Sequence, residues 1–178
     1  MLDDQGYEYF EQNPFPLAYL LTFRTFGTWL HGDERWSINR NTQGAFRSHI
    51  IPPNEPLRDA MEEKMTQPPR LLDWDQRKCV QRAITEVCEH RGYDLRAANV
   101  RINHAHTVIS ACIKPEKVVN DLKAYATRAL RREFLVCPTD KVWSRGASTR
   151  YLWKPNHVDG AVDYVLYCQE NIPFEFKD

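Results

Sequence analysis

Two short runs near the middle of the chain, YDLRAANVRIN and HAHTVISACI, gather apolar side chains as strands do, and each is flanked by a segment with helical spacing. That arrangement leaves few folds open. Neighbouring strands with a short connection pair antiparallel, and their apolar faces need helices to cover them. The segment before them, WDQRKCVQRAITEVCEHRG (residues 74–92), sets Val80, Ile84, Val87 and Cys88 along one helical stripe and ends on Gly92, a C-terminal stop. The segment after them, PEKVVNDLKAYATRALRREF, opens on Pro115, which suits a first helical position, and lines up Val118, Leu122, Ala126 and Ala129.

The outer segments extend the pattern. LAYLLTFRTFGTWL near the start is rich in strand formers, with Gly27 ending or bending the strand. KVWSRGASTRYLW reads as a turn and a strand. VDGAVDYVLYCQEN reads as a last helix with Val162, Val165, Leu166 and Gln169 on one side. The order β, α, β-β, α, β, α predicts an α+β fold. It is a ferredoxin-like antiparallel sheet with helices mainly on one face. Residues 31–73 interrupt it as a long insertion after the first strand. They hold five prolines and no sustained period, with PLRDAMEEKM as a short helix. The 178 residues suit a single domain.

Composition narrows the class. Apolar residues are 42% and charged residues 27%, as in globular proteins, and no apolar run is long enough to span a membrane. The opening MLDDQGYEYFEQ is acidic and unlike a signal peptide, so the expected location is the cytoplasm. The five cysteines at 79, 88, 112, 137 and 168 have no metal-site spacing and read as reduced thiols. The formal net charge is zero, but residues 114–154 carry ten Lys or Arg against four Asp or Glu. A basic face of that kind suits a phosphate backbone.

Two places carry chemistry. Asn103-His104-Ala105-His106 lies in strand-like sequence, so His104 and His106 project from one face and can share a cation, with Ala105 and Val108 read as facing the core. A bare H-x-H is more often a pair of histidines on a half-polar face. In the following helix, Tyr125 lies at the edge of the apolar stripe, with Arg128 and Arg132 on its flank and Asp121 one turn before. Such a tyrosine either covers the core edge or attacks a phosphodiester. For the second role its phenol, with a reference pKa of about 10, needs a base or a cation nearby.

Together these pieces resemble the single-tyrosine HUH transposases, closest to the REP-associated tyrosine transposases and their insertion-sequence relatives. The matching pieces are YLLTFRTFGTWLHGDER, NHAHTVIS, LKAYATRALRR, VWSRGASTRYLW and AVDYVLYCQ, in the family's order over roughly residues 17–170. The resemblance implies a DNA transposase or nickase that cleaves and rejoins single-stranded DNA through a 5′-phosphotyrosine intermediate. It implies Mg²⁺ or Mn²⁺ as cofactor, and a DNA hairpin or palindromic repeat as partner. It assigns the metal to His104 and His106 and the nucleophile to Tyr125. The amide ligand that relatives often carry one turn after the tyrosine falls here on Ala129, so Asp121 becomes the substitute ligand. Relatives act as monomers or as homodimers. The alternative is a hairpin-binding protein of the same fold with weakened or no catalysis.

Arg24, Arg128, Arg132, Arg145 and Arg150 are the candidate DNA contacts, although a solvent-side strand position explains Arg24 equally well. Ser148 and Thr149 are candidate phosphate donors. Trp143, Tyr151 and Trp153 either stack on unpaired bases or pack inward. No chemistry requires the turn His31-Gly32-Asp33-Glu34-Arg35, and His90 and His157 read as surface residues.

Overall fold

The computed structural model describes residues 14–35, 37–38 and 50–168. Ten elements follow in order. They are β1 (Ala18–Arg24), β2 (Ser37–Ile38), β3 (Ile50–Ile51), α1 (Glu55–Glu63), α2 (Trp74–Arg91), β4 (Asp94–Val100), β5 (His104–Ser110), α3 (Pro115–Arg132), β6 (Ser148–Leu152) and α4 (Pro155–Tyr167). Four strands form one antiparallel sheet in the order β4-β5-β1-β6, and β2 pairs β3 apart from it. The fold is α+β, as the segment order predicts.

Local chemistry explains where the main helices begin and end. Asp73 accepts from the Gln76 amide while the Gln76 side chain accepts from the Asp73 amide, closing a capping box at the start of α2. Gly92 ends the helix in the left-handed region with φ 68°, a conformation that costs a glycine nothing. Pro115 occupies the first turn of α3, where its missing N–H is no loss.

Alternation along the strands makes two cores. On one face Tyr19, Leu21, Phe23, Ala105 and Ile109 meet Val80, Ile84 and Val87 of α2 and Val118, Leu122 and Leu130 of α3. On the other, Ala18, Ala97, Val108 and Leu152 meet Val158, Ala161 and Val165 of α4. Two long helices therefore share a face and α4 covers the opposite one. A bulge at Arg96 shifts the register between Leu95 and Ala97, which sends Leu95 and Ala97 to opposite faces.

Two expectations change. Val108 does not face away from the histidines. It is two residues beyond His106 and shares the α4 face with it, as a strict period of two requires. In α4 the buried residues are Val158, Ala161 and Val165, with Val162 and Leu166 half-buried, while Gln169 lies outside the described residues. Within the insertion, α1 forms where the short helix was expected, capped by Asn54, and buries no residue.

Candidate active site

His104 and His106 stand on β5, one residue apart, on the face that α4 covers. Their ring centroids are 4.6 Å apart with the planes 83° to each other. Cross-strand partners complete the floor: Arg24 and Thr22 on β1 sit opposite His104 and His106, and Asn99 on β4 lies beyond His106. Thr22 Oγ1 lies 2.7 Å from His106 Nδ1, and Asn103 Oδ1 lies 2.6 Å from His104 Nδ1. The Asn103 oxygen can only accept, so His104 carries its proton on Nδ1 and leaves Nε2 as a lone pair. The contact with Thr22 likewise occupies Nδ1 of His106.

Burial sets the charge of both rings. Burial, reinforced by His106, Arg24, Arg101 and Arg35, pulls the His104 pKa down to about 3. Burial, then Arg24 and Arg101, pulls that of His106 down to about 4. Both imidazoles are therefore neutral near pH 7, the state in which a histidine ligates a metal.

The α4 helix brings a tyrosine to this floor. Tyr164 precedes the buried Val165 and follows the buried Ala161 by three residues, so it sits at the margin of the stripe that docks the helix. Its ring centroid is 5.6 Å from that of His106, edge to face, and it remains 42% exposed. The buried Asn99 amide donates to the Val165 carbonyl at 3.0 Å and ties α4 to β4 one residue from Tyr164. Arg24 completes the group. Its guanidinium lies 3.4 Å over the Trp29 ring, and burial followed by the nearby Arg35 pulls its pKa down to about 10, which leaves it a cation at neutral pH.

Of the residues singled out in the sequence, His104, His106 and Arg24 come together, and Arg150 joins their face as the cross-strand partner of Leu20. Tyr125 does not come with them. It packs against the α2–α3 core, under the Arg128 guanidinium at 4.3 Å and beside His90 at 5.8 Å, with the sheet between it and the histidines. Asp121 is on that far side too. It accepts from the Tyr93 hydroxyl at 2.8 Å and from Lys117 Nζ at 2.6 Å, with Arg91 at 3.6 Å, and is not available to the histidines as a ligand. Burial raises the Asp121 pKa, but these partners more than offset it and keep the carboxylate charged. Arg128 and Arg132 follow α3 to the same side, Arg132 with Glu133 at 3.7 Å. Arg145 is exposed in the loop before β6. Ala129 is 4% exposed in the α2–α3 core, where a ligand would have no cation to bind. Among the described residues, no three His, Cys, Asp or Glu side chains cluster as a metal site.

The model of the IS200-like transposase family matches residues 69–159, which include both histidines and their strand. The chain belongs to that family. The match ends within α4, five residues before Tyr164. Among solved structures, the chain is similar to a REP-associated tyrosine transposase bound to a REP hairpin, at 14% identity over 89% of this chain and 70% of that one, with a TM-score of 0.48. It is also similar to a candidate transposase from Deinococcus radiodurans R1, at 12% identity over 86% of this chain and 92% of that one, with a TM-score of 0.45. No curated protein gives a significant match. As a member of the family the chain is a transposase, and among its described residues no helix is long and apolar enough to cross a membrane.

Sequence reasoning missed Tyr164, Thr22, Asn99 and Trp29. The chain offers three helical tyrosines after the histidines, Tyr125 on α3 and Tyr164 and Tyr167 on α4, and the face each helix covers separates the first from the other two. The arginines beside Tyr125 drew the sequence reading to α3, on the face away from the histidines.

Proposed function

We propose that this transposase cleaves and rejoins single-stranded DNA, with Tyr164 rather than Tyr125 as the nucleophile and His104, His106 and Arg24 around the scissile phosphate. The observation that carries this reading is the 5.6 Å approach of the Tyr164 ring to His106, on the sheet face that carries the histidine pair.

The Tyr164 phenol oxygen attacks phosphorus. A P–O bond to tyrosine forms as the P–O3′ bond breaks, the phenol proton passes to solvent, and the departing 3′ oxygen takes one up. The product is a 5′-phosphotyrosine ester and a free 3′-hydroxyl. Attack of a 3′-hydroxyl on that ester reverses the exchange and restores the tyrosine. One phosphodiester bond is traded for another, so no nucleotide cofactor is consumed. Arg24 supplies fixed positive charge beside the reacting phosphate, with N–H donors at its edge.

The donor set fits a divalent cation. Nε2 of His104, and Nε2 of His106 with the Thr22 hydroxyl accepting from its Nδ1, would hold Mg²⁺ or Mn²⁺, with oxygens of phosphate and water as the remaining ligands. Such an ion polarises a phosphoryl oxygen when bound. The amide expected one turn after the nucleophile falls on Cys168 when counted from Tyr164, with Gln169 next in sequence. Asp121 is not proposed as a ligand.

The proposed partner is a DNA hairpin with an unpaired flank, which is also what the similar REP-associated transposase is bound to. The test is incubation with a panel of labelled hairpin DNAs and Mn²⁺, followed by a denaturing gel. A protein-linked band present in wild type and in Tyr125→Phe, and lost in Tyr164→Phe, is the expected result. A band that survives Tyr164→Phe rejects the assignment. Binding without any band, over the whole panel, supports a hairpin-binding protein without catalysis.

A further inference from the structure

The segment after β1 has no part in the chemistry above, yet it is built around one ring. Thr25 donates its amide and hydroxyl to the Asn103 carbonyl, both at 3.0 Å, and the Thr28 hydroxyl reaches the same oxygen at 3.3 Å. The turn is thereby fastened to the residue beside His104. Gly27 makes the reversal with φ 72°, so close to Met65 and Pro69 that a Cβ would meet Met65 Sδ at 2.8 Å. Trp29 is carried back over the end of β1, and two guanidinium groups approach its ring. Arg24 is 3.4 Å from its ring centre and Arg35 is 4.9 Å away.

The two arginines are not equivalent. Arg35 is neutralised: its Nε and Nη2 donate to Asp33 at 2.7 and 2.6 Å, and Nη2 also donates to the Thr28 carbonyl at 3.0 Å. Gly32 holds this turn against α1, its carbonyl accepting from the Asn54 amide at 2.9 Å, where a Cβ would strike Asn54 O within van der Waals contact. Arg24 has no ion pair among the described residues, and its cross-strand neighbour is His104. Stacking engages the face of a guanidinium and leaves the in-plane N–H donors at its edge for an anion.

We propose that Trp29 is a positioning residue: its ring holds Arg24 flat beside His104, so that the guanidinium edge meets a DNA phosphate already oriented. The Asp33–Arg35 pair adds a second guanidinium contact to the ring. This rests on reading the histidine face as a phosphodiester site, and it gives the HGDER turn a purpose that the sequence left open. An arginine ordered before binding does not lose its rotamer freedom when the phosphate arrives, which is the gain the stack supplies.

The test is a double-mutant cycle on the full chain, measuring binding of fluorescent oligothymidylate without divalent cation, so that no cleavage intervenes. Arg24→Ala and Trp29→Leu, the latter keeping apolar bulk without a π face, are each expected to weaken binding roughly ten-fold. The double variant is expected to bind no worse than Arg24→Ala, and Trp29→Phe to stay close to wild type. The proposal is overturned if Trp29→Leu binds as wild type, if the two losses multiply, or if Arg24→Ala changes nothing. Thermal melts of each variant separate a binding loss from a folding loss, and Trp29→Phe keeps the question open to an answer if Trp29→Leu does not fold. The adduct gel is independent. If it yields no Tyr164-dependent band the nucleophile assignment fails, while the binding cycle still decides on Trp29.

Discussion

At the scale of single residues, His104 and His106 follow from strand alternation, and so does their company. Counting by two from His106 reaches Val108, and the α4-side core it joins is the one that carries Tyr164. The proposed nucleophile could not be read the same way. Tyr125 and Tyr164 both lie in helices beside apolar stripes, and no local pattern says which face of the sheet a helix covers. The histidines also make a pH prediction. Their folded-state pKa values, about 3 and about 4, lie below the ordinary 6.5. Below about pH 6.5 the unfolded chain therefore takes up protons that the folded chain refuses, and stability falls as the pH drops from there toward 4. Thermal melts between pH 7.5 and 4.5 check this. The melting temperature should decline with acid, and His104→Gln should flatten the decline. An unchanged slope would assign the acid sensitivity to other groups.

At the scale of elements, the caps and stops of α2 and the proline at the head of α3 were legible because they depend on neighbours in sequence. Asp73→Ala removes one arm of the capping box and is expected to cost about 1 kcal/mol, measured by urea unfolding, with DNA binding unchanged. The docking of α4 was not legible, because it depends on Asn99, which is distant in sequence and whose amide reaches the Val165 carbonyl only once β4 and α4 are packed. Asn99→Ala leaves that carbonyl without its side-chain partner and is expected to destabilise by roughly 1–3 kcal/mol. It should slow adduct formation beyond what the loss of folded protein explains, since Tyr164 is the next residue along. An adduct rate that tracks the folded fraction alone would contradict that link.

At the scale of the molecule, the antiparallel sheet and its helices follow from segment order, whereas the division of charge between faces does not. The basic stretch 114–154 that a neutral total conceals is itself split by the sheet. Of that stretch, Arg150 lies with the histidines and Arg24, while Lys123, Arg128 and Arg131 line an open surface groove against Trp143 on the outer side of α3. A partner reaching the second surface has to pass around the sheet, so those cations are suited to backbone contact away from the cut. Replacing Arg128 and Arg131 with alanine should weaken hairpin binding and reduce its salt dependence by up to about two phosphate contacts. The position of the linked tyrosine should stay the same.

The identity of that tyrosine is the central claim, and peptide mapping of the trapped protein–DNA adduct tests it most directly. After nuclease trimming and trypsin, the account predicts the nucleotide on the peptide that begins at Tyr151, with fragmentation placing it on Tyr164. A nucleotide on Tyr125, in the peptide from Ala124 to Arg128, would contradict it.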